Sequence, residues 1–280
     1  MSGPEGAHLP ERLRAEGGSG PEAADFGGAV PRWASQLGLT RNVVRQALVQ
    51  RQLAGHLGAL PAGASALDVG CGQGTVAVGL AERGFDVVGV DPSEELLARA
   101  RALALDAEAG TGSPLAIRFV AGTLDDLPGL VPAPVDVVCC HGVLMYLPEL
   151  QAPVAQLVRC LRPGGLLSLV TRNQAGIAFR AGMTGRWDEV LHSFDARHYD
   201  NRVGVSGARA DTPEEVVAAC AAAGADVEAW YGVRLFTDHW DDVAPPDDLD
   251  RLIDVEEEAG RRDPYRRVTS LTHVVARRRP

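Results

Sequence analysis

The chain has 280 residues, 46% of them hydrophobic, with a net charge of −10 and no lysine. Such a length suits one large α/β domain, with or without insertions, and no apolar run approaches the roughly 20 residues that a membrane span needs. The acidic balance argues against a broad polyanion-binding surface.

The N-terminus lacks a basic-then-apolar export pattern, and residues 1–25, rich in Gly, Pro, Glu and Ala, predict a disordered tail. The five cysteines (Cys71, Cys139, Cys140, Cys160 and Cys220) have no metal-ligand spacing, so the expectation is a cytoplasmic, reduced protein without a metal site. Residues 26–280 are expected to form one domain. Val44, Leu48, Leu53 and Leu57 predict an amphipathic helix over 41–57, with Thr40 as N-cap. Strands follow at 64–69, 86–90, 116–121, 135–140 and 166–171. Helices are expected at 75–83 (closed by Gly84), 93–107 (capped by Ser93) and 149–161. Residues 173–210 break this rhythm and read as an insertion covering a site. Thr212, Pro213 and Glu215 then form a capping-box pattern, followed by a strand over 226–236, an acidic helix over 247–259 and a last strand over 270–276. Strands alternating with helices predict a Rossmann-like, doubly wound sheet with helices on both faces. It is expected to be mostly parallel, with an antiparallel last strand. The terminal run Arg277, Arg278 and Arg279 reads as a solvated tail.

The most specific motif is Asp68-Val69-Gly70-Cys71-Gly72-Gln73-Gly74, which ends a strand and opens a helix. Its glycines allow backbone to approach a ligand closely. In a dinucleotide fingerprint the third glycine comes one position later, where this chain has Thr75. Asp68 would repel a pyrophosphate but attract an ammonium. The motif therefore favours S-adenosylmethionine over NAD. Asp91 lies 19 residues beyond Gly72 at a strand's carboxyl end, where it can accept hydrogen bonds from both ribose hydroxyls. Leu124 and Asp125 follow the third strand and fall where adenine would lie; Asp126 competes with Asp125 for its amino group.

These residues resemble class I methyltransferases, and the likeness continues through Val44-Arg45-Gln46, His141, Leu161 to Gly165, Asn173, Gly232-Val233-Arg234, Asp263-Pro264-Tyr265 and His273-Val274. They resemble the bacterial subfamily that esterifies the oxyacetate group of a modified tRNA wobble uridine. The resemblance implies that Arg45 contacts the cofactor's carboxylate and that His141 lines the cofactor site. It also implies a role for Arg234 beside an acceptor carboxylate. Arg234 interrupts an otherwise apolar and aromatic segment, so its charge needs a partner; Tyr265 is a candidate to close the same pocket. No acid/base dyad is visible, as suits an acceptor already ionised at neutral pH. An alcohol or phenol acceptor would instead make His141, His192 or His198 a candidate base. The subfamily's lysine cluster is replaced here by residues 194–200, which removes phosphate contacts and makes a small carboxylated molecule a competitor to tRNA. A non-catalytic S-adenosylmethionine-binding partner or sensor is the reading from another class.

Overall fold

The computed structural model describes Arg32 and residues 35–280, apart from 59, 62, 132 and 203. The tail expected over 1–25 lies outside the described residues. The apolar run before the glycine loop forms β1 (Ser65–Val69), which pairs in parallel with β2 (Asp86–Asp91) on one side and β4 (Val135–His141) on the other. With β3 (Ile117–Ala121), β5 (Leu161–Arg172), β8 (Ala225–Val233) and β9 (Leu271–Arg278) these build a seven-stranded sheet, in the order β3-β2-β1-β4-β5-β9-β8. Strands β1 to β5 are parallel, whereas β9 runs antiparallel to both β5 and β8. This is the expected Rossmann-like arrangement. Central strands buried on both faces read as continuous apolar runs, and β4 is buried at six of its seven positions.

Helices cover both faces. On one, Leu53, Leu57, Ala77 and Leu80 from α1 (Thr40–Leu57) and α2 (Thr75–Ala81) pack on Ala66, Val87 and Val137. On the other, Val154, Leu157, Val216 and Ala219 from α5 (Gln151–Arg159) and α8 (Pro213–Ala222) pack on Leu67, Val138 and Leu167. Ser93 caps α3 (Glu94–Thr111), and Thr212 with Glu215 forms the expected capping box on α8. Thr40 is not the N-cap of α1: Leu39 holds that position, and the Thr40 hydroxyl donates to the Val243 carbonyl, 2.8 Å away.

The C-terminal arginines are not a solvated tail. Strand β9 runs to Arg278, Arg277 pairs with Glu228, Arg279 pairs with Asp226, and Arg278 donates to the Leu161 carbonyl. After the short α4 (Leu127–Leu130), the other additions to the sheet are α6 (Ala175–Met183), α7 (Trp187–Ser193), the hairpin β6 (His198–Tyr199) with β7 (Ala208–Arg209), and α9 (Leu249–Arg261). Among the described residues, no helix is long and apolar enough to cross a membrane.

Candidate active site

A cavity of about 1780 Å³ runs along the carboxyl ends of β1, β2 and β4, where open α/β sheets bind ligands. Its floor is the glycine loop. Gly70 has φ +68°, and a Cβ there would lie 2.2 Å from Val143 Cγ2, so a larger residue would both strain the backbone and fill the cradle. Gly74, at φ +84°, opens α2 and packs against Ala100.

Asp68 ends up buried, and its Oδ2 has no hydrogen-bond partner. Burial and the neighbouring Asp91 charge raise its pKa to about 7, against the opposing pull of the Ala77 amide and Arg45. An unpaired buried carboxylate is costly, and an ammonium would complete it. Arg45, on α1, reaches across to donate to the His141 carbonyl at 3.3 Å. Asp68, Arg45 and His141 thus line one end of the cavity, with an anion and a cation ready for the two charges of an amino-acid group. Asp91 lies beyond the loop. Its oxygens accept from the amides of Gly72 and Ser93, both at 2.9 Å, which fixes the carboxylate and leaves lone pairs for two hydroxyl donors. Leu124 and Asp125 line the cavity as expected. Asp126 turns away, because its carboxylate accepts from the Thr123 amide and hydroxyl in a capping box. Replacing Asp91 with Ala should weaken S-adenosylhomocysteine binding by at least about a hundredfold, loosening the loop as well as removing ribose contacts. Calorimetry showing unchanged affinity would refute the ribose role.

His141 belongs to a buried row of hydrogen bonds that sequence reasoning missed. Gln52 Nε2 donates to the Gly232 carbonyl at 3.3 Å, which leaves Oε1 to accept from His273 Nδ1–H at 2.7 Å. His273 Nε2 is then a lone pair and accepts the Ser168 hydroxyl at 2.9 Å; Ser168 Oγ in turn accepts His141 Nε2–H at 2.8 Å. The tautomer of His141 follows: Nδ1 is a buried lone pair without a partner. Burial, then His273 and the Arg45 guanidinium, push the His141 pKa well below its ordinary value, and burial pushes that of His273 down to about 3. Both imidazoles are neutral at neutral pH. His141 therefore lines the cavity as a neutral ring whose proton-free Nδ1 is itself buried. The sequence signals for the row were His141, Ser168 and His273, polar residues set in apolar strands.

The far end of the cavity is built by the 173–210 segment and the turn after β8. The sequence places Arg234 inside a strand over 226–236; the structure does not. Strand β8 stops at Val233, and Arg234 takes φ 63°, so strand alternation does not set its direction. Its side chain is 11% exposed and lies 3.3 Å from Asp238 Oδ1, so the partner its charge required comes from the chain itself. Burial lowers the Arg234 pKa, against the pull of Asp238. Burial raises that of Asp238, but Arg234, Arg172, Ser270 and Arg180 outweigh it and hold the carboxyl below its ordinary range. Tyr265 does not close the pocket: it is 51% exposed and absent from the cavity lining. The following Arg266 and Arg267 stack on Trp230, 3.9 and 5.7 Å from the ring centre. His192 and His198 both line the cavity mouth.

Residues 67–169 match the family model described as a methyltransferase domain. The chain is 28% identical over 243 residues to the tRNA 5-carboxymethoxyuridine methyltransferase of Escherichia coli strain K12, covering 86% of this chain and 90% of that protein. It is also 32% identical over 158 residues to the ubiquinone biosynthesis O-methyltransferase of Idiomarina loihiensis, 55% of this chain and 60% of that one. Its fold is similar to that of the magnesium protoporphyrin IX methyltransferase from Synechocystis with bound S-adenosylhomocysteine, at a TM-score of 0.61 and 17% identity, covering 91% and 97% of the two chains. The cofactor end of the cavity, with its loop, its orphaned Asp68 and its paired Arg45, suits the ligand such enzymes share. The chain is an S-adenosylmethionine-dependent methyltransferase of Rossmann-like fold, and the segment that matches the family model runs from β1 into β5.

Proposed function

We propose that the enzyme transfers the methyl group to a carboxylate oxygen of a small anionic acceptor. The observation that carries this reading is Arg234, a buried guanidinium whose Nε has no hydrogen-bond partner, in a cavity whose only deeply buried imidazole is neutral. A lone pair of the acceptor carboxylate forms the O–CH3 bond while the sulfonium C–S bond breaks with its electron pair on sulfur, leaving a thioether and releasing no proton. No general base is needed. The chain's part is alignment: Asp68 and Arg45 fix the amino-acid end of the cofactor, Asp91 fixes the ribose, and Arg234 orients the acceptor. We also assign residues 173–210 as the cover of the acceptor end. The five free cysteines suit the reducing cytoplasm.

A tRNA carrying an oxyacetate uridine is the second reading, favoured by the likeness spanning 90% of the Escherichia coli relative. The test is transfer of labelled methyl to a mixture of organic acids, to oxyacetate tRNA and to unmodified tRNA. Base-labile label on a small acid supports a methyl ester of a metabolite; label confined to oxyacetate tRNA selects the second reading. Base-stable label on either would overturn carboxylate transfer. Arg234→Ala should lower turnover by about a hundredfold or more while leaving S-adenosylhomocysteine affinity intact. Equal loss of both would place Arg234 in the cofactor site or the fold.

A further inference from the structure

Arg234 is one of five arginines drawn together around the turn at 238–241. Arg172, on β5, lies 3.7 Å from Asp238 Oδ2, and its guanidinium sits 4.9 Å from the Tyr199 ring centre. Arg180, on α6, donates to the Asp238 carbonyl and reaches Asp241 at 3.2 Å. Arg202, from the loop joining β6 and β7, donates to the same carbonyl and pairs with Asp241 at 2.7 Å. Arg41, on α1, lies 3.8 Å from Asp241. All five line the cavity. Their side chains are only 6, 8, 16, 23 and 11% exposed, taking Arg41, Arg172, Arg180, Arg202 and Arg234 in turn.

Within 4 Å these five guanidiniums meet two carboxylates, Asp238 and Asp241, which leaves three positive charges unmatched; Glu256 also acts on Arg234 but is engaged by the 235–237 amides. The hydrogen bonding agrees with the charge count. The Nε atoms of Arg41, Arg172 and Arg234 are buried without partners, and one backbone carbonyl serves two arginines at once. Buried cations with open donors cost free energy in the free protein and become favourable only when anions fill the space between them. A single acceptor carboxylate would offset one charge of three.

We propose that the acceptor is a small polyanion: an organic acid with at least two further anionic groups besides the carboxylate that is methylated. This rests on the carboxylate reading above and names the substrate class for the same site. Arg172 and Arg234, nearest Asp238, hold one anionic group, while Arg41, Arg180 and Arg202 hold the others as bidentate forks. Esterification removes one negative charge from the molecule. The ring consequently holds product less tightly than substrate, and the chemistry itself assists release.

The test is calorimetric titration of citrate, succinate and acetate, at equal ionic strength, into protein saturated with S-adenosylhomocysteine. Citrate should bind at least tenfold more tightly than succinate, and succinate more tightly than acetate. Arg202→Gln should weaken citrate about tenfold, Arg202→Lys should retain most of the affinity, and both should bind S-adenosylhomocysteine as the parent does. Equal affinity for citrate and acetate would overturn the proposal, as would an Arg202→Gln variant with undiminished citrate binding. A tRNA anticodon-loop oligonucleotide that displaces citrate would assign the same charges to phosphates and overturn the small-molecule class. None of these readouts requires turnover. A ring that binds citrate in an enzyme whose methyl product is base-stable would refute the carboxylate step alone.

Discussion

Titrating S-adenosylhomocysteine into the enzyme across pH should give an affinity that falls toward tenfold for each unit below pH 7 and levels off above it. The free protein holds the Asp68 carboxyl with a pKa of about 7, whereas pairing with the ligand's ammonium needs the ionised form. Binding below that pH therefore requires loss of a proton, and its cost is linked to pH. Around Asp68, burial holds His141 on β4 well below its ordinary pKa, lowers that of Arg45 on α1, and raises the thiols of Cys71 and Cys139. Asp91, on β2, is itself raised by burial against the amides that hold it, and titrates with the same sign. Asp68→Asn should cost at least about a hundredfold in affinity and flatten most of the dependence. The same variant should stabilise the free protein. A carboxyl whose folded pKa is raised loses its stabilising contribution as pH climbs from its unfolded value near 4 through 7, so at pH 8 the ionised, unpaired Asp68 works against the fold by a few kcal/mol on the order of magnitude. Thermal unfolding of the two proteins at pH 5 and pH 8 checks the sign: the gap must open at the higher pH. An affinity constant between pH 5 and 8 would remove Asp68 from the ammonium site.

Glu256→Ala should be the most destabilising single change outside the hydrophobic core. Glu256 lies on α9 and is 1% exposed. Its two oxygens accept from the amides of Leu235, Phe236 and Thr237 and from the Thr237 hydroxyl, at 2.7 to 3.0 Å. Truncation orphans three buried donors and the part-buried Phe236 amide, at about 1–3 kcal/mol for each buried one; with some water entering, a net loss of about 4 kcal/mol is expected, or roughly 10 °C in Tm for a chain of this size. The effect reaches function because the clamped segment lies between Arg234 and Asp238. Turnover should therefore fall even below the melting temperature, with cofactor affinity preserved. Glu256→Gln, which keeps one acceptor but turns an amide toward the donors, should fall between. A loss under about 1 kcal/mol for the Ala variant would mean that the turn holds itself without α9.

The cofactor end was legible in the sequence because each of its parts is local: a strand, a turn whose backbone only glycine supplies, and acids at strand ends. Asp68, Gly70, Gly72, Gly74 and Asp91 all fall within one β-α-β unit of 24 residues, from Asp68 to Asp91. The acceptor end was not legible. Arg41, Arg172, Arg180, Arg202 and Arg234 come from five separate parts of the chain, and no spacing rule connects them. Glu256 looked like one more charge on an acidic helix, although it is buried and carries the turn. Arg234 drew notice because it interrupted an apolar run, but its left-handed backbone and its partner Asp238 depend on tertiary structure. Tyr265, in the Asp263-Pro264-Tyr265 turn, was a candidate to close the pocket; it is half exposed instead, while the next two arginines stack on Trp230.

Because the four hydrogen bonds from His141 to the Gly232 carbonyl run in one sense, the imidazole cannot move its proton from Nε2 to Nδ1 without reversing the whole row. The scaffold thus keeps the orientation and tautomer of this ring fixed whichever acceptor it serves. Substituting the arginine walls with apolar side chains would change which molecules enter yet leave the ring and its tautomer as they are. Diversification of this fold can proceed by altering the walls while a polar spine through the sheet is inherited unchanged.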